Sequence, residues 1–432
     1  MSKINIRDFY NENEDGAPDI VGVSTFSSTA YFVPTKGNTT QRPSDHVEVG
    51  SIRFNTDTSN LEFYRGHGIG WSQFELIDPE LGGGTGSNTG LGTRAVLPGG
   101  NGAPSRSASM SFLTISTLGN TQDFGDLSAA NNANAGASSR TRGLSFGGSL
   151  ASPVGRVNTI EFFTFASLGD AANFGDMTIV RAELGSTSNN VRGIAAGGSP
   201  GPKDELDYIA IAQTGNAVDF GDLAVAREGV AQGCISNGTR GIFTGGNAPT
   251  MLNNIEFVTI MSTGNTSDFG DMTATMSRQA NCCSSTRGLI SGGMNPSVTN
   301  TIEFITIATT GNSADFGDLT TNRNGTGALS NSTRGVWGGG ETPSSVDTMD
   351  YVTLATLGNA VDFGNMVGNR HNSTEDGASS PTRGVWAGGQ TPNRQNVIQY
   401  ITIGTTGNAV DFGDLLADKA NPAAASNSHG GL

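Results

Sequence analysis

Asp123-Phe124-Gly125-Asp126 is the first of seven copies of one short motif. The later copies begin, with small variations, at Asn173, Asp219, Asp268, Asp315, Asp362 and Asp411, and successive copies are 50, 46, 49, 47, 47 and 49 residues apart. A repeat of this length is typical of β-propellers, in which each repeat forms one blade. The sequence therefore predicts an all-β fold with a seven-bladed β-propeller. Residues that recur in every copy are expected to build that fold.

Each repeat reads as four short strands, and the copy that begins at Arg323 illustrates them. The four segments are Gly327-Ala328-Leu329-Ser330-Asn331, Thr333-Arg334-Gly335-Val336-Trp337-Gly338-Gly339, Met349-Asp350-Tyr351-Val352-Thr353-Leu354 and Asp362-Phe363-Gly364-Asn365-Met366. The third alternates apolar and polar residues, as a half-buried strand does. The paired glycines and small residues allow neighbouring backbones to approach closely.

Two sets of residues recur at fixed places and are interpreted as structural. One is the arginine that opens the second strand: Arg94, Arg142, Arg192, Arg240, Arg287, Arg334 and Arg383. The other is the phenylalanine of the motif, expected to fill the space between blades: Phe124, Phe174, Phe220, Phe269, Phe316, Phe363 and Phe412. The third strand has an acidic residue at its second position in five copies, and we expect it to pair with the repeated arginine. A substrate-binding arginine cluster is the alternative.

The aspartates of the motif are expected to cap turn amides or to pair with the arginine. A calcium site made by two carboxylates three residues apart is the functional alternative. Trp337 and Trp386 occupy the same place in adjacent repeats and are interpreted as core or axis-lining residues, with sugar stacking as the alternative.

The order of these parts resembles the repeat of kelch-type propellers. The run Arg323…Val336-Trp337-Gly338-Gly339…Tyr351 fits that family, although the phenylalanine of the motif stands where the family has a closing-strand tryptophan. The resemblance covers residues 93–428 and implies a propeller architecture; fold alone does not define function.

The ends of the repeat region predict how the ring closes. Residues 93–127 supply the second, third and fourth strands of a repeat, whereas residues 422–428 align with a first strand. The C-terminal strand is therefore expected to complete the first blade, which leaves few exposed strand edges. The loops after each Gly-Gly pair vary most and are the expected binding surface. They span about 101–109, 149–159, 199–205, 247–254, 294–301, 341–348 and 390–397.

Composition narrows the functional classes. The formal net charge is −15 and no basic stripe is present, so a nucleic-acid partner is not expected. Three cysteines, two of them adjacent, and four scattered histidines suggest neither a disulfide framework nor a metal site. No apolar run approaches the roughly 20 residues of a membrane span. The sequence predicts no cofactor, no metal and no enzymatic activity.

The N-terminal part shows no repeat and divides into three predicted pieces. Residues 1–85 contain an extended apolar stretch with Phe26, Tyr31, Phe32 and Val33, followed by a hairpin-like run, and residues 86–92 continue a glycine-rich linker that precedes the propeller at 93–432. The hairpin-like run is Gly50-Ser51-Ile52-Arg53-Phe54-Asn55-Thr56-Asp57, Leu61-Glu62-Phe63-Tyr64 and Gly70-Trp71.

This run resembles a small module of bacteriophage tail fibres and baseplate-associated proteins. Together with the repeats, it is similar to virion structural proteins of tailed phages that infect cyanobacteria. The resemblance implies location in the phage particle, with residues 1–85 docking on other virion proteins through Phe26, Tyr31, Phe32 and Val33. It implies a propeller displayed for recognition of a host-surface glycan or protein, with an oligomer on the particle as a further expectation. A head or tail decoration protein and a glycan-active enzyme are the alternatives.

Overall fold

The computed structural model describes residues 34–43, 47–57, 60–73, 94–102, 105–151, 153–230, 234–371, 378–421 and 423–426. The chain divides into two compact units, Met1–Ile77 and Asp78–Leu432. The described residues are all-β: they form mostly antiparallel sheets, and their only helix is one 3-10 turn at Thr39–Gln41. The predicted docking residues Phe26, Tyr31, Phe32 and Val33, and the predicted linker 86–92, lie outside the described residues.

The first unit contains one four-stranded sheet. Its strands are Lys36–Gly37 (β1), Ile52–Asn55 (β2), Asn60–Tyr64 (β3) and Trp71–Gln73 (β4). The strands pair in that order, with β1 parallel to β2 and the other pairs antiparallel. The predicted hairpin is confirmed. Glu62 is fully buried beneath it and accepts hydrogen bonds from Arg42 and Asn55.

The second unit contains seven sheets that share one plan. In each sheet four strands, which we call first to fourth, lie side by side in that order. The first strands of sheets 1 to 7 are Ala425–Ser426 (β40), Ala135–Ser138 (β9), Gly185–Ser188 (β14), Cys234–Ser236 (β18), Ala280–Cys283 (β23), Gly327–Ser330 (β29) and Ala378–Ser379 (β35). The second strands are Arg94–Pro98 (β5), Arg142–Phe146 (β10), Arg192–Ala196 (β15), Arg240–Thr244 (β19), Arg287–Ser291 (β24), Arg334–Gly338 (β30) and Arg383–Ala387 (β36).

The two remaining strands of each sheet complete the plan. The third strands are Ser107–Thr114 (β7), Thr159–Thr164 (β12), Lys203–Ala210 (β16), Thr250–Thr259 (β21), Thr301–Thr306 (β27), Thr348–Thr353 (β33) and Asn393–Thr402 (β38). The fourth strands are Gln122–Asn132 (β8), Ala172–Asp176 (β13), Val218–Arg227 (β17), Ser267–Met276 (β22), Ala314–Asp318 (β28), Val361–Asn365 (β34) and Val410–Ala420 (β39).

Short strands lie in the connections between the second and third strands. They are Asn101–Gly102 (β6), Ser149–Leu150 (β11), Asn247–Ala248 (β20), Met294–Asn295 (β25), Ser297–Val298 (β26), Glu341–Thr342 (β31), Ser344–Ser345 (β32) and Gln390–Thr391 (β37). Two of them join neighbouring sheets, because β11 pairs with the end of β8 and β6 pairs with the end of β39.

The first strands contact one another in an unbroken series. Each touches the first strand of the next sheet, and β40 touches both β35 and β9, so that sheet 7 meets sheet 1. The prediction that the C-terminus supplies the missing first strand is confirmed, since Ala425 pairs with Val96 and Ser426 pairs with Ala95. The small side chains of these strands allow the close approach. Ser138 Oγ, for example, donates a hydrogen bond to the carbonyl oxygen of Ser426.

The repeated motif forms a β-bulge in every sheet. In sheet 6, Met349 pairs with Gly364 and Asp350 pairs with Asp362, which leaves Phe363 as the extra residue. The bulge glycines have φ between 138° and 152°, where a side chain is disfavoured. The bulge also frees the phenylalanine carbonyl, which accepts a hydrogen bond from the turn glycine of the next sheet; Gly407 N donates to Phe363 O at 2.7 Å. The motif therefore joins neighbouring sheets.

Each repeated arginine lies over the third-strand aromatic ring of its own sheet. The seven guanidinium carbons lie 4.5 to 4.7 Å from the ring centroids, a cation–π arrangement. The same ring meets the motif phenylalanine edge to face, with centroids 5.7 to 6.1 Å apart. Each arginine also donates from Nη1 to a backbone carbonyl of the following sheet, as Arg142 does to Ile211 at 2.9 Å.

The prediction that the repeated arginine pairs with the third-strand acid is wrong. In three sheets the acid instead binds a second, fully buried arginine, which follows the motif of the preceding sheet: Arg181 pairs with Asp207, Arg227 with Glu256 and Arg323 with Asp350. The reason is geometric. Strand alternation directs the acid and the aromatic ring to opposite faces of the third strand, and the repeated arginine lies on the aromatic face.

The core is divided between the sheets. Each hydrophobic cluster combines residues of neighbouring sheets; Phe124 of sheet 1, for example, contacts Phe163 of sheet 2 with ring centroids 5.3 Å apart. This bears out the role proposed for the motif phenylalanines. Cys234, Cys282 and Cys283 are free and buried. Burial raises the pKa of the Cys283 thiol to about 12, so it behaves as a small apolar residue.

Candidate functional site: a crown of proline hairpins

The connections between second and third strands emerge at the same end of every sheet. We call them the crown; its described residues are 99–102, 105–106, 147–151, 153–158, 197–202, 245–251, 292–300, 339–347 and 388–394, where 250–251 and 393–394 are also the first residues of their third strands. All seven begin with a Gly-Gly pair in which both glycines have positive φ. An ordinary side chain at these positions is strained, and the pair turns the chain sharply away from the second strand. The crown therefore begins from one backbone conformation while its later residues vary.

Four neighbouring hairpins of the crown share one five-residue form with proline at the centre. We call these the proline hairpins; they are 247–251, 294–298, 341–345 and 390–394, in sheets 4 to 7. Proline fixes φ and so limits the conformations of a short loop. In each hairpin the proline and the residue after it are exposed: Pro249-Thr250, Pro296-Ser297, Pro343-Ser344 and Pro392-Asn393. These hairpins hold different side chains on one backbone.

Side chains join neighbouring loops of the crown. In sheets 1 to 3, Arg106 donates to Ser149 Oγ at 3.2 Å, and Arg156 donates to Ser199 Oγ at 3.2 Å. The connection between sheets 6 and 7 is made by His371, whose backbone pairs with Gln390. These contacts link the loops of sheets 1 to 3 and those of sheets 6 and 7.

His371 also makes a side-chain cluster with the hairpin of sheet 6. Its Nδ1 lies 2.7 Å from Ser345 Oγ, and its Nε2 lies 3.8 Å from Glu341 Oε2. All three side chains are partly exposed. A hydroxyl beside an imidazole that contacts a carboxylate is the arrangement that activates serine nucleophiles. The sequence offered no signal for this cluster, because Ser345 and His371 lie in different repeats and no fixed spacing relates them.

Buried cationic side chains donate hydrogen bonds to the backbone at or near the crown loops. They follow the motif at one position of the repeat and are Arg181, Arg227, Arg323, Arg370 and Lys419. Arg227 donates to Gly245 O at 3.0 Å and Arg370 donates to Gly388 O at 3.2 Å, so these two hold the Gly-Gly pair of the next sheet. Burial lowers the pKa of Arg227 and of Arg370 to about 10, and that of Lys419 to about 8.

Two of these cations lack the acidic partner that Arg323 has. Sheet 7 has Gln399 where sheet 6 has Asp350, and sheet 1 has Ser111. Conversely, Glu303 of sheet 5 is fully buried but has no buried cation beside it among the described residues. The preceding sheet has Met276 at the repeat position where Arg227 and Arg323 lie in other sheets. The Glu303 carboxylate accepts hydrogen bonds from the hydroxyls of Thr273 and Ser313 instead. Hydrogen bonds thus replace the ion pair in that sheet.

The two tryptophans singled out from the sequence lie in the core. Trp337 and Trp386 have no exposed surface. Their indole nitrogens donate to backbone carbonyls of the preceding sheet, Trp337 to Ala280 and Trp386 to Gly327. A ring enclosed in this way has no free face for a sugar, which corrects the sugar-stacking alternative and agrees with the core interpretation.

The motif aspartates make local contacts. The first aspartate accepts a hydrogen bond from the amide of the bulge glycine in five sheets, as Asp362 does from Gly364 at 3.0 Å. This confirms the expected amide capping. Within the described part of the chain, no group of three or more His, Cys, Asp or Glu side chains is placed to hold a metal ion. No helix among the residues described is long and apolar enough to cross a membrane.

Comparison with models of known protein families gave no match, and a search of curated proteins found no relative of this chain.

Proposed function

We propose that the second unit is a closed seven-bladed β-propeller and that its crown recognises the surface of a host cell. The four proline hairpins carry this proposal. They keep one rigid backbone and differ in side chains, which is the usual way in which a repeat scaffold presents a binding surface. The repeated arginines, aromatic rings and phenylalanines serve the scaffold, because each is used in contacts within and between sheets.

The proposed setting is the particle of a tailed phage. The resemblance of residues 50–71 to a tail-fibre module supports a virion structural protein of the tail fibre or baseplate periphery. The first unit would bind other virion proteins, and the apolar residues Phe26, Tyr31, Phe32 and Val33 are the proposed contacts. A phage whose copy of this protein is truncated to residues 86–432 should then assemble particles that lack the truncated chain. Particles that retain the truncated chain would refute this docking role.

The crown's role is tested by binding of the purified full chain to intact cyanobacterial cells. We expect saturable binding that unlabelled chain competes away. A folded chain that binds no strain in a host panel would refute host recognition. In that case a head or tail decoration protein becomes the better proposal, and phage lacking the protein should adsorb normally but lose particle stability.

The cluster of Ser345, His371 and Glu341 favours a second candidate, a glycan-active esterase. His371 would accept the proton of Ser345 as the hydroxyl oxygen attacks an ester carbonyl, and would return it to the leaving alcohol; water would then release the acid. A fluorophosphonate probe should label the full chain and S345A should lose that label. Exposed Ser344, in the same hairpin, is the matched control, and S344A should be labelled normally. Absence of labelling in the unmodified chain excludes this candidate.

A further inference from the structure

We infer that the crown binds an uncharged polysaccharide through several equivalent weak contacts, one at each proline hairpin. This inference rests on the proposed role in host recognition and specifies the chemistry of the ligand. It starts from the exposed residues that follow the four prolines, which are Thr250, Ser297, Ser344 and Asn393.

The four tip residues share one chemistry. Each has a hydroxyl or an amide, and none is charged, aromatic or large. Such groups donate and accept hydrogen bonds, as the hydroxyls of a sugar do. Apolar pockets and aromatic platforms, which anchor most protein ligands, are missing from these tips. The tips therefore fit a ligand that is itself rich in hydroxyl groups.

The charge of the chain restricts the ligand further. The formal net charge is −15, and the fourth strands have exposed aspartates such as Asp219, Asp268 and Asp362. A polymer with many negative charges would be repelled on approach. The four proline hairpins themselves have one acidic and one basic residue, Glu341 and Arg394, so their net charge is zero. An uncharged polymer fits this balance and avoids the repulsion.

The repetition of the tips sets the mode of binding. One hydrogen bond to a neutral group contributes only about 0.5–1.5 kcal/mol, so a single tip is a weak site. The tips recur at 47, 47 and 49 residues, at the same position of four consecutive sheets. A repeating polymer can contact several of them at once, and linked contacts raise the affinity by roughly 10²–10⁴ without any new type of contact. Rigid hairpins favour this because little conformational freedom is lost on binding.

The test measures binding of the full chain to neutral and acidic polysaccharide fractions extracted from host cells. The variants are T250A, S297A, S344A, N393A and the quadruple substitution. A matched control replaces exposed threonines at the opposite end of the same four sheets, in T239A/T286A/T333A/T382A. Melting temperatures confirm that every variant is folded.

We expect the neutral fraction to bind the full chain. Each single tip variant should weaken binding by about 2- to 10-fold, which is the effect of one neutral hydrogen bond. The quadruple variant should weaken it by more than about 100-fold, whereas the control should bind normally. Short oligosaccharides from the same fraction should bind at least about 100-fold more weakly than the polymer.

Other outcomes overturn the inference. Loss of binding from one tip alone would indicate a single site, and normal binding by the quadruple variant would place the ligand elsewhere. Preference for the acidic fraction would contradict the charge argument. If the unmodified chain binds host cells while any of these results holds, only the ligand assignment fails. If it binds neither cells nor polysaccharide, host recognition fails with it.

Discussion

Arg383 donates a hydrogen bond from Nη1 to the carbonyl oxygen of Ile115 at 2.7 Å, although 268 residues separate the two. This contact joins sheet 7 to sheet 1 and is the counterpart of the bonds made by the other six repeated arginines. The junction between the ends of the unit therefore uses the same interactions as the junctions within it. Its strength can be compared directly with theirs.

Substitution of Arg383 by methionine tests that junction. R383M removes the cation–π contact with Tyr400 and the bond to Ile115, and we expect a loss of about 1–3 kcal/mol in the free energy of unfolding. R240M removes the equivalent contacts between sheets 4 and 5 and should cost the same within about 1 kcal/mol. Denaturant titrations of both variants provide the comparison. A negligible effect of R383M beside a clear effect of R240M would show that sheets 7 and 1 are not joined.

The C-terminal strand gives a second test of the same junction. A chain that ends at Asn421 lacks β40, so the edge of β5 is exposed and the first strands of sheets 2 and 7 lose a neighbour. We expect a lower melting temperature and a tendency to aggregate. A chain that ends at Ser426 retains β40 and is the control. Equal melting temperatures for the two truncations would contradict the role given to this strand.

The buried ion pair of Arg323 and Asp350 should be more sensitive to the loss of one partner than of both. R323M leaves a buried carboxylate without its cation and should cost about 3–5 kcal/mol in the free energy of unfolding. The double variant R323M/D350L removes both charges and should recover most of that loss. Thermal denaturation of the single and double variants decides this. A double variant less stable than R323M would mean that the pair contributes net stability.

The bulge glycine of sheet 5 can be compared with a turn glycine of the same sheet. A Cβ on Gly317 would lie 2.5 Å from the carbonyl carbon and oxygen of Gly358, whereas a Cβ on Gly311 would meet nothing within 4 Å. Both residues have positive φ, 144° and 154°. G311A should therefore show only backbone strain, of about 1–3 kcal/mol, and G317A should lose roughly 1–3 kcal/mol more from the displaced backbone. Similar urea midpoints for the two variants would contradict the close contact between sheets.

Burial of the charged Lys419 side chain should make the folded chain more stable at alkaline pH than at neutral pH. Burial lowers its pKa from 10.5 to about 8, so the unfolded chain binds this proton more tightly than the folded chain does. The cost of holding the charge, on the order of 3 kcal/mol, is fully present below pH 8 and is relieved as the pH rises from about 8 towards 10.5. K419M should therefore be more stable relative to the unmodified chain at pH 7 than at pH 10.

The measurement for Lys419 is the difference in melting temperature between K419M and the unmodified chain across that pH range. K36M, at an exposed lysine of the first unit, is the control and should show no such trend. Taking this difference removes the effect of the other titrating groups, because K419M and the unmodified chain share them. A difference that stays constant from pH 7 to pH 10 would show that Lys419 titrates normally.

Sequence periodicity was sufficient to predict the sheets, because a repeat of about 48 residues with four apolar segments has few alternatives. It also predicted the role of β40, since the repeat begins part-way through at Arg94 and ends part-way through at Ser426. Both conclusions depend on the order of elements alone. Neither required knowledge of which side chains touch.

Partners across the sheets could not be assigned in the same way. Each repeat has two arginine positions, exemplified by Arg323 and Arg334, and the sequence does not say which faces Asp350. Strand alternation decides it, but only once the register of the second and third strands is known. The proline hairpins, in contrast, had a signal in the sequence: in sheets 4 to 7 a proline lies three residues after the Gly-Gly pair, as Pro343 does after Gly340.

The pairing of β40 with β5 has a consequence for synthesis of the chain. A ribosome adds Arg94 to the chain 332 residues before Ser426, so sheet 1 remains without its first strand until the other six sheets have been translated. Sheets 2 to 7 obtain their four strands from consecutive sequence and can form while the chain emerges. A chain terminated before β40 would have an open strand edge at β5, so such fragments should be recognised by chaperones or proteases.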